Sequence, residues 1–363
     1  MKKILIICNV ASYHQVEFFD ELAKSDKLQL KVVYQLEATF DRNWKNKIIP
    51  SHDFELLRRV YFSKSRALYW NFGLIKVIKR FKPDKIVLTQ YANLNQLFLL
   101  WMSVLLCSKK MILWTERPGI NFNEAPVLSN NFLRTVGRQF SLFPLKLNNS
   151  IQIWGIGRFS CEYYDSIVPS KVFNVPYYSD IQKFSKSTRV RHEKNSIKLL
   201  FAGKFIKRKG LDLLIEVVKS KNFHDVEFHF LGTGPLKNAV VDLCESYDNC
   251  FYHGFVEREQ MGEFYSDKDV LILPGRHDGW GMVIQEAMAC GLGVISTRNV
   301  GAALDLVDSE NGILIEPSKK SLSQVLESLN YETILRWRSN SIEKARLVNV
   351  VEGKHWLEEV LDD

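Results

Sequence analysis

At 363 residues, 46% of them hydrophobic and 25% charged, the chain can bury two ordinary domains and lacks the composition of a disordered, repetitive or low-complexity protein. Its six cysteines, Cys8, Cys107, Cys161, Cys244, Cys250 and Cys290, form no C-x-x-C pair and no metal-ligand spacing, which argues against a disulfide scaffold or a zinc module and for a reducing cytoplasm. The formal net charge of +8 is unevenly placed: residues 1–180 carry 25 basic and 14 acidic side chains, whereas residues 181–363 carry 24 and 27.

In chain order, KILIICNV (3–10) reads as a buried first strand rather than a signal peptide, HQVEFFDELAK (14–24) as an amphipathic helix and LQLKVVYQ (28–35) as a second strand. Residues 42–85 then carry twelve basic and three acidic side chains interleaved with Trp44, Tyr61, Phe62, Tyr69, Trp70, Phe72 and Phe81. Such a mixture fits a nucleic-acid surface, a membrane-surface patch, or a solvated face over core aromatics. No recognised nucleic-acid module accompanies it. The helical run 73–81, with Leu74, Ile75, Val77, Ile78 and Phe81 among Lys76, Lys79 and Arg80, is the part expected nearest a lipid surface.

KIVLTQ (85–90), MILWTE (111–116), IQIWGIG (151–157) and KVFNVP (171–176) continue the strand series. The apolar stretch 94–107 contains Asn95, Gln96 and Ser103 and falls short of the roughly twenty residues a bilayer span requires, so no transmembrane helix is expected. A polar, charged link at 185–196 is the best domain boundary, and a second strand series starts at IKLLFAG (197–203). Alternating strands and helices predict an α/β protein with a parallel sheet in each half, whose ligands bind beyond the carboxyl ends of the strands. The predicted division is 1–180, 181–340 and a C-terminal helical piece at 341–363, within a helical segment spanning 337–361.

The most informative segment is HDGWGMVIQEAMACGLGVIST (277–297). Asp278 opens a turn made of Gly279, Trp280 and Gly281, a helix begins at Met282, Gly291 ends it, and an apolar strand follows. Glycines allow close backbone approach, and the N–H groups of a first helical turn attract an anion such as a diphosphate. Glu286, eight residues after Asp278, is placed to accept hydrogen bonds from two neighbouring sugar hydroxyls. Two carboxylates astride an anion-binding turn suit a nucleotide-sugar.

This unit resembles the acidic-x7-Glu signature of the retaining glycosyltransferases with two Rossmann-like domains, the GT-B fold, and specifically glycosyltransferase family four. The resemblance continues through LLFAGKFIKRKGLDLLIEVV (199–218), FHFLGTGPLKNAVVDLC (228–244), FYHGFV (251–256), YSDKDVLILPGRHDGWG (265–281) and VGAALDLVDSENGILIEP (300–317), in the family's order. The first half matches only loosely. The resemblance implies two Rossmann-like domains facing across a cleft, an acceptor domain first and a donor domain second, with the C-terminal helix returning to the first.

It also implies site roles. Lys204 and Lys209, five residues apart in a strand-to-helix loop, match the family's basic pair that meets the donor diphosphate, although Lys204 replaces an Arg and loses its bidentate fork. Lys207 and Arg208 read as solvated neighbours. Asp278 replaces the commoner Glu; it either reaches the donor hexose or caps the helix. Lys204, Lys209 and Asp278 thus form the expected reacting centre. Gly203, Gly234, Phe255, Val256, Gly279, Trp280, Gly281, Met282 and Glu286 are the expected donor-binding set, with Gly232 beside Gly234 in a Gly-x-Gly turn and Phe255 and Val256 either near the nucleobase or simply a core strand end. His14, Glu116 and Arg117, at strand ends of the first half, are acceptor candidates; His14 either orients a hydroxyl or begins the helix, and the other histidines receive no role. Asp267 and Asp269 form an Asp-x-Asp that reads as a helix end and strand start rather than a metal site.

The expected activity is that of a retaining hexosyltransferase. It would move a sugar from a UDP- or GDP-linked donor to a saccharide or lipid-linked acceptor, in bacterial surface polysaccharide or glycolipid biosynthesis. Neither a cofactor nor a metal is expected, nor a nucleic-acid partner. The expected location is cytoplasmic, with peripheral contact to the inner face of an anionic membrane. A nucleotide-sugar epimerase and a non-catalytic nucleotide-sugar-binding partner are the alternatives.

Overall fold

The computed structural model describes residues 1–37, 49–63, 68–91, 93–106, 108, 110–117, 131–185 and 196–362. Trp44 and the basic residues Arg42, Lys45, Lys47, Lys64 and Arg66, together with Cys107, Pro118, Gly119 and most of the 185–196 link, lie outside the described residues. The described residues form two compact units, one built from those up to Arg117, those of 131–180 and the segment from Val350, the other from those within Ile181–Asn349.

The first unit contains β1 (Lys2–Val10), α1 (Tyr13–Leu22), β2 (Leu28–Leu36), β3 (Phe54–Leu56), β4 (Arg59–Ser63), β5 (Leu68–Asn71), α2 (Leu74–Phe81) and β6 (Lys85–Leu88). It continues with α3 (Leu94–Leu105), β7 (Met111–Thr115), α4 (Asn131–Leu147), β8 (Gln152–Gly155), α5 (Arg158–Asp165) and β9 (Val172–Asn174). Seven strands form a parallel sheet in the order β3-β2-β1-β6-β7-β8-β9. Their near-continuous apolar runs follow from burial on both faces, as a parallel sheet covered by helices requires. Leu5, Ile7, Val33, Leu88, Leu113 and Ile153 are core residues of one such layer. The antiparallel ribbon β4–β5 stands outside this sheet.

The second unit contains α6 (Gln182–Ser185), β10 (Ile197–Ala202), α7 (Leu211–Ser220), β11 (Val226–Leu231), α8 (Lys237–Ser246), β12 (Cys250–Gly254) and α9 (Met261–Ser266). After these come β13 (Val270–Leu273), α10 (Met282–Ala289), β14 (Gly293–Thr297), α11 (Gly301–Leu306), β15 (Gly312–Ile315), α12 (Lys319–Ser328) and α13 (Tyr331–Arg346). Its six parallel strands run β12-β11-β10-β13-β14-β15, so the winding direction reverses between β10 and β13. In open α/β sheets the crevice at the carboxyl ends of such a pair is where ligands sit.

The C-terminal segment is two helices rather than one. α13 stays with the second unit, where the Trp337 ring fills the space in front of Gly293. The chain enters the first unit only at α14 (Val350–Asp362), not at residue 341. There the Val350 N–H donates to the Ser179 carbonyl at 3.2 Å, Lys354 pairs with Glu21 at 2.7 Å, and Gly353 lies against the Tyr178 ring.

One expectation about surfaces changes. Leu74 and Val77 of α2 are core residues and Ile78 and Phe81 pack against the core, leaving Phe72 and Ile75 as the exposed apolar residues there. Larger exposed apolar area lies on α3 and α4, at Leu105, Leu106, Phe140, Phe143 and Leu147, beside Trp101, whose ring is 5.1 Å from Phe140. Among the described residues no helix is long and apolar enough to cross a membrane, and the described cysteines are free.

Candidate functional site

The carboxyl ends of β10, β11 and β12 are stitched together by backbone alone. Gly203 donates its N–H to the Leu231 carbonyl at 2.9 Å, Gly232 to the Gly254 carbonyl at 2.7 Å, and Phe205 to the Thr233 carbonyl at 2.9 Å. Gly232 has φ +143°, and a Cβ added there would stand 1.9 Å from the Gly203 oxygen, so this close approach admits only glycine. A Cβ on Gly203 would meet no atom within 4 Å, and the same holds for Gly254. The strand ends therefore leave open space in front of Gly203 and Gly254, a glycine shelf, while Gly232 is packed against Gly203 and Phe205. Lys204 is exposed at its edge and makes no ion pair among the described residues. Phe255, 54% exposed, follows directly on β12, with Val256 half-buried behind it.

Across the reversal, the segment after β13 is clamped to the basic turn Lys207–Lys209 that precedes α7. Arg276 holds Asp212 through two bonds of 2.7 and 2.9 Å and the Lys207 carbonyl at 2.6 Å, while its own N–H donates to the Arg208 carbonyl at 2.9 Å. Arg208 Nη1 in turn donates to the His277 carbonyl at 2.8 Å and to Asp278 Oδ1 at 3.2 Å. The other oxygen of Asp278 pairs with Lys209 Nζ.

Asp278 is only 8% exposed. Burial pushes its pKa upward, but the charges and hydrogen bonds of Lys209 and Arg208 outweigh that and hold it below the ordinary carboxylate value. Its carboxylate lies against the start of α10: a Cβ on Gly281, which caps the helix at φ +96°, would be 3.2 Å from Oδ2. The N-cap residue of α10 is Gly281, and the Asp278 carboxylate accepts from Arg208 and Lys209. Met282 is the first helical residue and is half-buried.

Glu286 is 5% exposed, with Oε1 accepting from Arg258 Nη1 at 2.6 Å and Oε2 from the Tyr265 hydroxyl at 3.1 Å. Burial first, then the Glu286 charge, raises the Tyr265 pKa, so the phenol stays a donor. The Arg258 guanidinium also covers the Phe184 ring at 5.1 Å.

Several expected donor residues have other roles here. Trp280 is a core side chain whose Nε1 donates to Gln285 Oε1 at 2.7 Å. Gly279 packs its carbonyl against Gly301, where a Cβ would stand 2.3 Å away, and the left-handed conformation belongs to Gly281. Gly234 serves the turn around Phe205, whose carbonyl would be 2.7 Å from a Cβ there. Arg208, expected to be solvated, is an Asp278 partner. Arg208, Arg258, Tyr265 and Arg276 are the members that sequence reasoning missed; no spacing rule links them to carboxylates 70, 28, 21 and 64 positions away.

Asp269 accepts from the Lys198 N–H at 2.8 Å, and Asp267 pairs with Lys198 and Lys268, each at 3.1 Å. Both carboxylates are thus engaged at the end of α9 and the start of β13. His229 lies between His253, at 2.9 Å, and Glu227, at 3.2 Å; burial and the nearby Lys268 charge push its pKa down to about 4. Among the described residues no cluster of His, Cys, Asp or Glu could hold a metal ion.

In the first unit, His14 lies in the first turn of α1 with its ring 4.5 Å from Tyr177. Glu116 and Arg117 follow β7. The Glu116 carbonyl accepts from the Tyr164 hydroxyl at 3.4 Å, and Arg117 donates its N–H to Ser160 Oγ at 2.7 Å. The Arg117 guanidinium stacks over Phe159 at 4.2 Å and Tyr163 at 5.6 Å, which commits much of that side chain to α5.

Residues 182–346 match the family model described as Glycosyl transferases group 1. The second unit is a glycosyl transferases group 1 domain. In sequence the chain is similar to an uncharacterized 41.2 kDa protein in the cps region of Klebsiella pneumoniae, 28% identical over 182 residues, 47% of this chain and 49% of that protein. It is similar also to an uncharacterized glycosyltransferase of Methanocaldococcus jannaschii, 30% identical over 139 residues, 37% and 39% of the two chains. The chain thus spans about half or less of the length of these curated relatives. Among solved structures the fold is shared with sucrose-phosphate synthase of Thermosynechococcus elongatus, at a TM-score of 0.74 with 14% identity, covering 100% of this chain and 98% of that one. It is shared also with HepE of Anabaena in complex with UDP and glucose, at a TM-score of 0.69 with 16% identity over 100% of both chains. The family match and the shared fold both include the unit that carries the glycine shelf and the Asp278 cluster.

Proposed function

We propose that the protein is a retaining glycosyltransferase of family four, moving a hexose from a UDP- or GDP-linked donor to a saccharide or lipid-linked acceptor. The observation that carries this reading is the site at the β10/β13 reversal: an open glycine shelf, the flanking Lys204 and Lys209, and the N-terminus of α10 meet where an anionic leaving group would lie. As the anomeric bond breaks, negative charge grows on the diphosphate, and cations and helix N–H groups aimed there favour the transition state over the ground state. Glu286, fixed by Arg258 and Tyr265, offers its carboxylate to the ribose hydroxyls at the other end of the nucleotide. Exposed Phe255, beside Gly254, offers a face for the base.

With lysines and backbone supplying the positive charge, the reaction runs without a divalent metal and by front-face attack, a donor phosphate oxygen taking the acceptor's proton. Binding of UDP and UDP-glucose by HepE supports a nucleotide-sugar donor. The cps-region relative, and an O-antigen biosynthesis glycosyltransferase of Escherichia coli that is 28% identical over 105 residues, 28% of each chain, support a role in bacterial surface polysaccharide or glycolipid assembly. The first unit supplies the acceptor side, with His14 and Glu116 at the strand ends, and contacts an anionic membrane at the cytoplasmic face.

The test is turnover in excess chelator with UDP- and GDP-linked hexoses that raise the melting temperature. Nucleoside diphosphate release that increases with added saccharide acceptor, giving an α-linked product from an α-linked donor, is the expected result. Activity that is abolished by chelator and restored by manganese would contradict the metal-free reading, and conversion of the donor sugar without acceptor would make the protein an epimerase.

A further inference from the structure

We propose that Asp278 is a resident counter-ion that occupies Lys209 until a diphosphate arrives, and that Arg208 is the positioning residue that takes the carboxylate over. The inference rests on reading the site as one for a nucleoside diphosphate.

Three charged groups meet at the front of α10: Lys209 and Arg208, both positive, and Asp278, negative. Asp278 Oδ2, the oxygen that pairs with Lys209, also lies against Gly281 at the helix start, so the carboxylate already fills part of the place that suits an anion. A diphosphate that is to bind Lys209 must displace it. Left alone, a carboxylate with 12% side-chain exposure would lose its partner in a poorly solvated place, which opposes the displacement.

Arg208 removes that penalty. Its Nη1 is anchored on the His277 carbonyl at 2.8 Å, so the guanidinium stays in place whatever Asp278 does. Among the described residues it spends only this one nitrogen, reaching Asp278 Oδ1 at a long 3.2 Å. A guanidinium carries five donors in a planar fork matched to a carboxylate. Once Lys209 turns to the diphosphate, Asp278 can close on that fork in a bidentate pair. Arg208 is also the more exposed of the two cations, at 33% against 13% for Lys209, as suits a group that accepts the carboxylate at the rim. Lys cannot substitute fully, because an ammonium is a point charge without the fork.

The experiment is a double-mutant cycle read by calorimetric affinity for UDP and GDP, with thermal melts to establish folding. Arg208→Gln should weaken binding of the preferred nucleotide by about tenfold in the native background, since Asp278 then stays on Lys209. In the Asp278→Asn background the same change should cost less than about twofold, because no carboxylate remains to be rehoused. Arg208→Lys, which keeps the charge and is the safer folder, should give an intermediate loss that Asp278→Asn also erases. Equal losses in both backgrounds, the outcome expected if Arg208 only contributes charge or touches phosphate itself, would overturn the proposal, as would an Arg208→Gln variant with native affinity. If the native protein binds neither nucleotide, the reading of the site fails, and the inference with it.

Discussion

Asp278 holds its charge more firmly than an ordinary carboxylate although burial raises its pKa, because Lys209 and Arg208 face its two oxygens. That arrangement sets a pH dependence whose sign is fixed. The folded pKa lies below the unfolded value of about 3.9, so the stabilisation is complete above that value and disappears as the pH falls through the lower, folded one. Denaturant titrations at pH 5 and pH 3 should therefore show a larger loss of stability in the native protein than in Asp278→Asn; equal losses would mean that the ion pairs contribute nothing. The sequence motif located Asp278, Lys209 and Glu286, because loop, helix and strand lie in one continuous segment and its glycines announce the turn. It could not locate Arg208, Arg258 or Tyr265 as their partners, since those contacts exist only after β10 and β13 are side by side and α9 packs against α10. Nor could it show that Trp280 points inward: a tryptophan between two glycines looks the same whether its ring meets a ligand or Gln285.

Strands announced themselves by apolar runs, and the parallel sheets of both units follow from burial on two faces. The short β3, the ribbon β4–β5, and helices α4 and α5 carry no such signal; β3 has exposed Phe54 and Leu56, and α4 holds Pro144 in its interior. The C-terminal helices show why boundaries are harder than elements. Periodicity through 337–361 is nearly unbroken, and only the packing of Trp337 on one unit and of Gly353 on the other reveals that the chain changes partners at Leu347, Val348 and Asn349. Gly353 tests this directly. A Cβ there would stand 2.5–2.7 Å from the buried Tyr178 ring, with no flexible atom to give way, so Gly353→Ala should cost about 1–3 kcal/mol of stability through overpacking. Thermal or denaturant unfolding measures it, and an unchanged midpoint would show that α14 is not seated on Tyr178.

Over the whole molecule, charge and exposed apolar surface coincide in the first half of the chain. All of the basic excess lies in residues 1–180, and exposed Leu105, Leu106, Phe140, Phe143 and Leu147 lie on α3 and α4, while α2 presents Lys76, Lys79 and Arg80 outward and turns most of its apolar residues to the core. Basic residues near an anionic surface contribute on the order of 1 kcal/mol each, and salt screens them. Co-sedimentation should thus be stronger with vesicles containing anionic lipid than with neutral ones, and should weaken at high salt; replacing Phe140 and Phe143 with Ser should reduce what remains. Binding that is equal or absent in every condition would confine the basic excess to solubility or the acceptor. The account as a whole depends on a nucleoside diphosphate lying at the β10/β13 reversal, against Lys209 at one end and Glu286 at the other. Calorimetric titration of UDP and GDP in excess chelator, into the native protein and into folded Lys209→Ala and Glu286→Ala variants, tests it most directly. Charge-assisted hydrogen bonds of roughly 1.5–3 kcal/mol predict one-to-one binding of one nucleotide, weakened about tenfold or more by either substitution; no binding of either nucleotide, or native affinity in both variants, would contradict it.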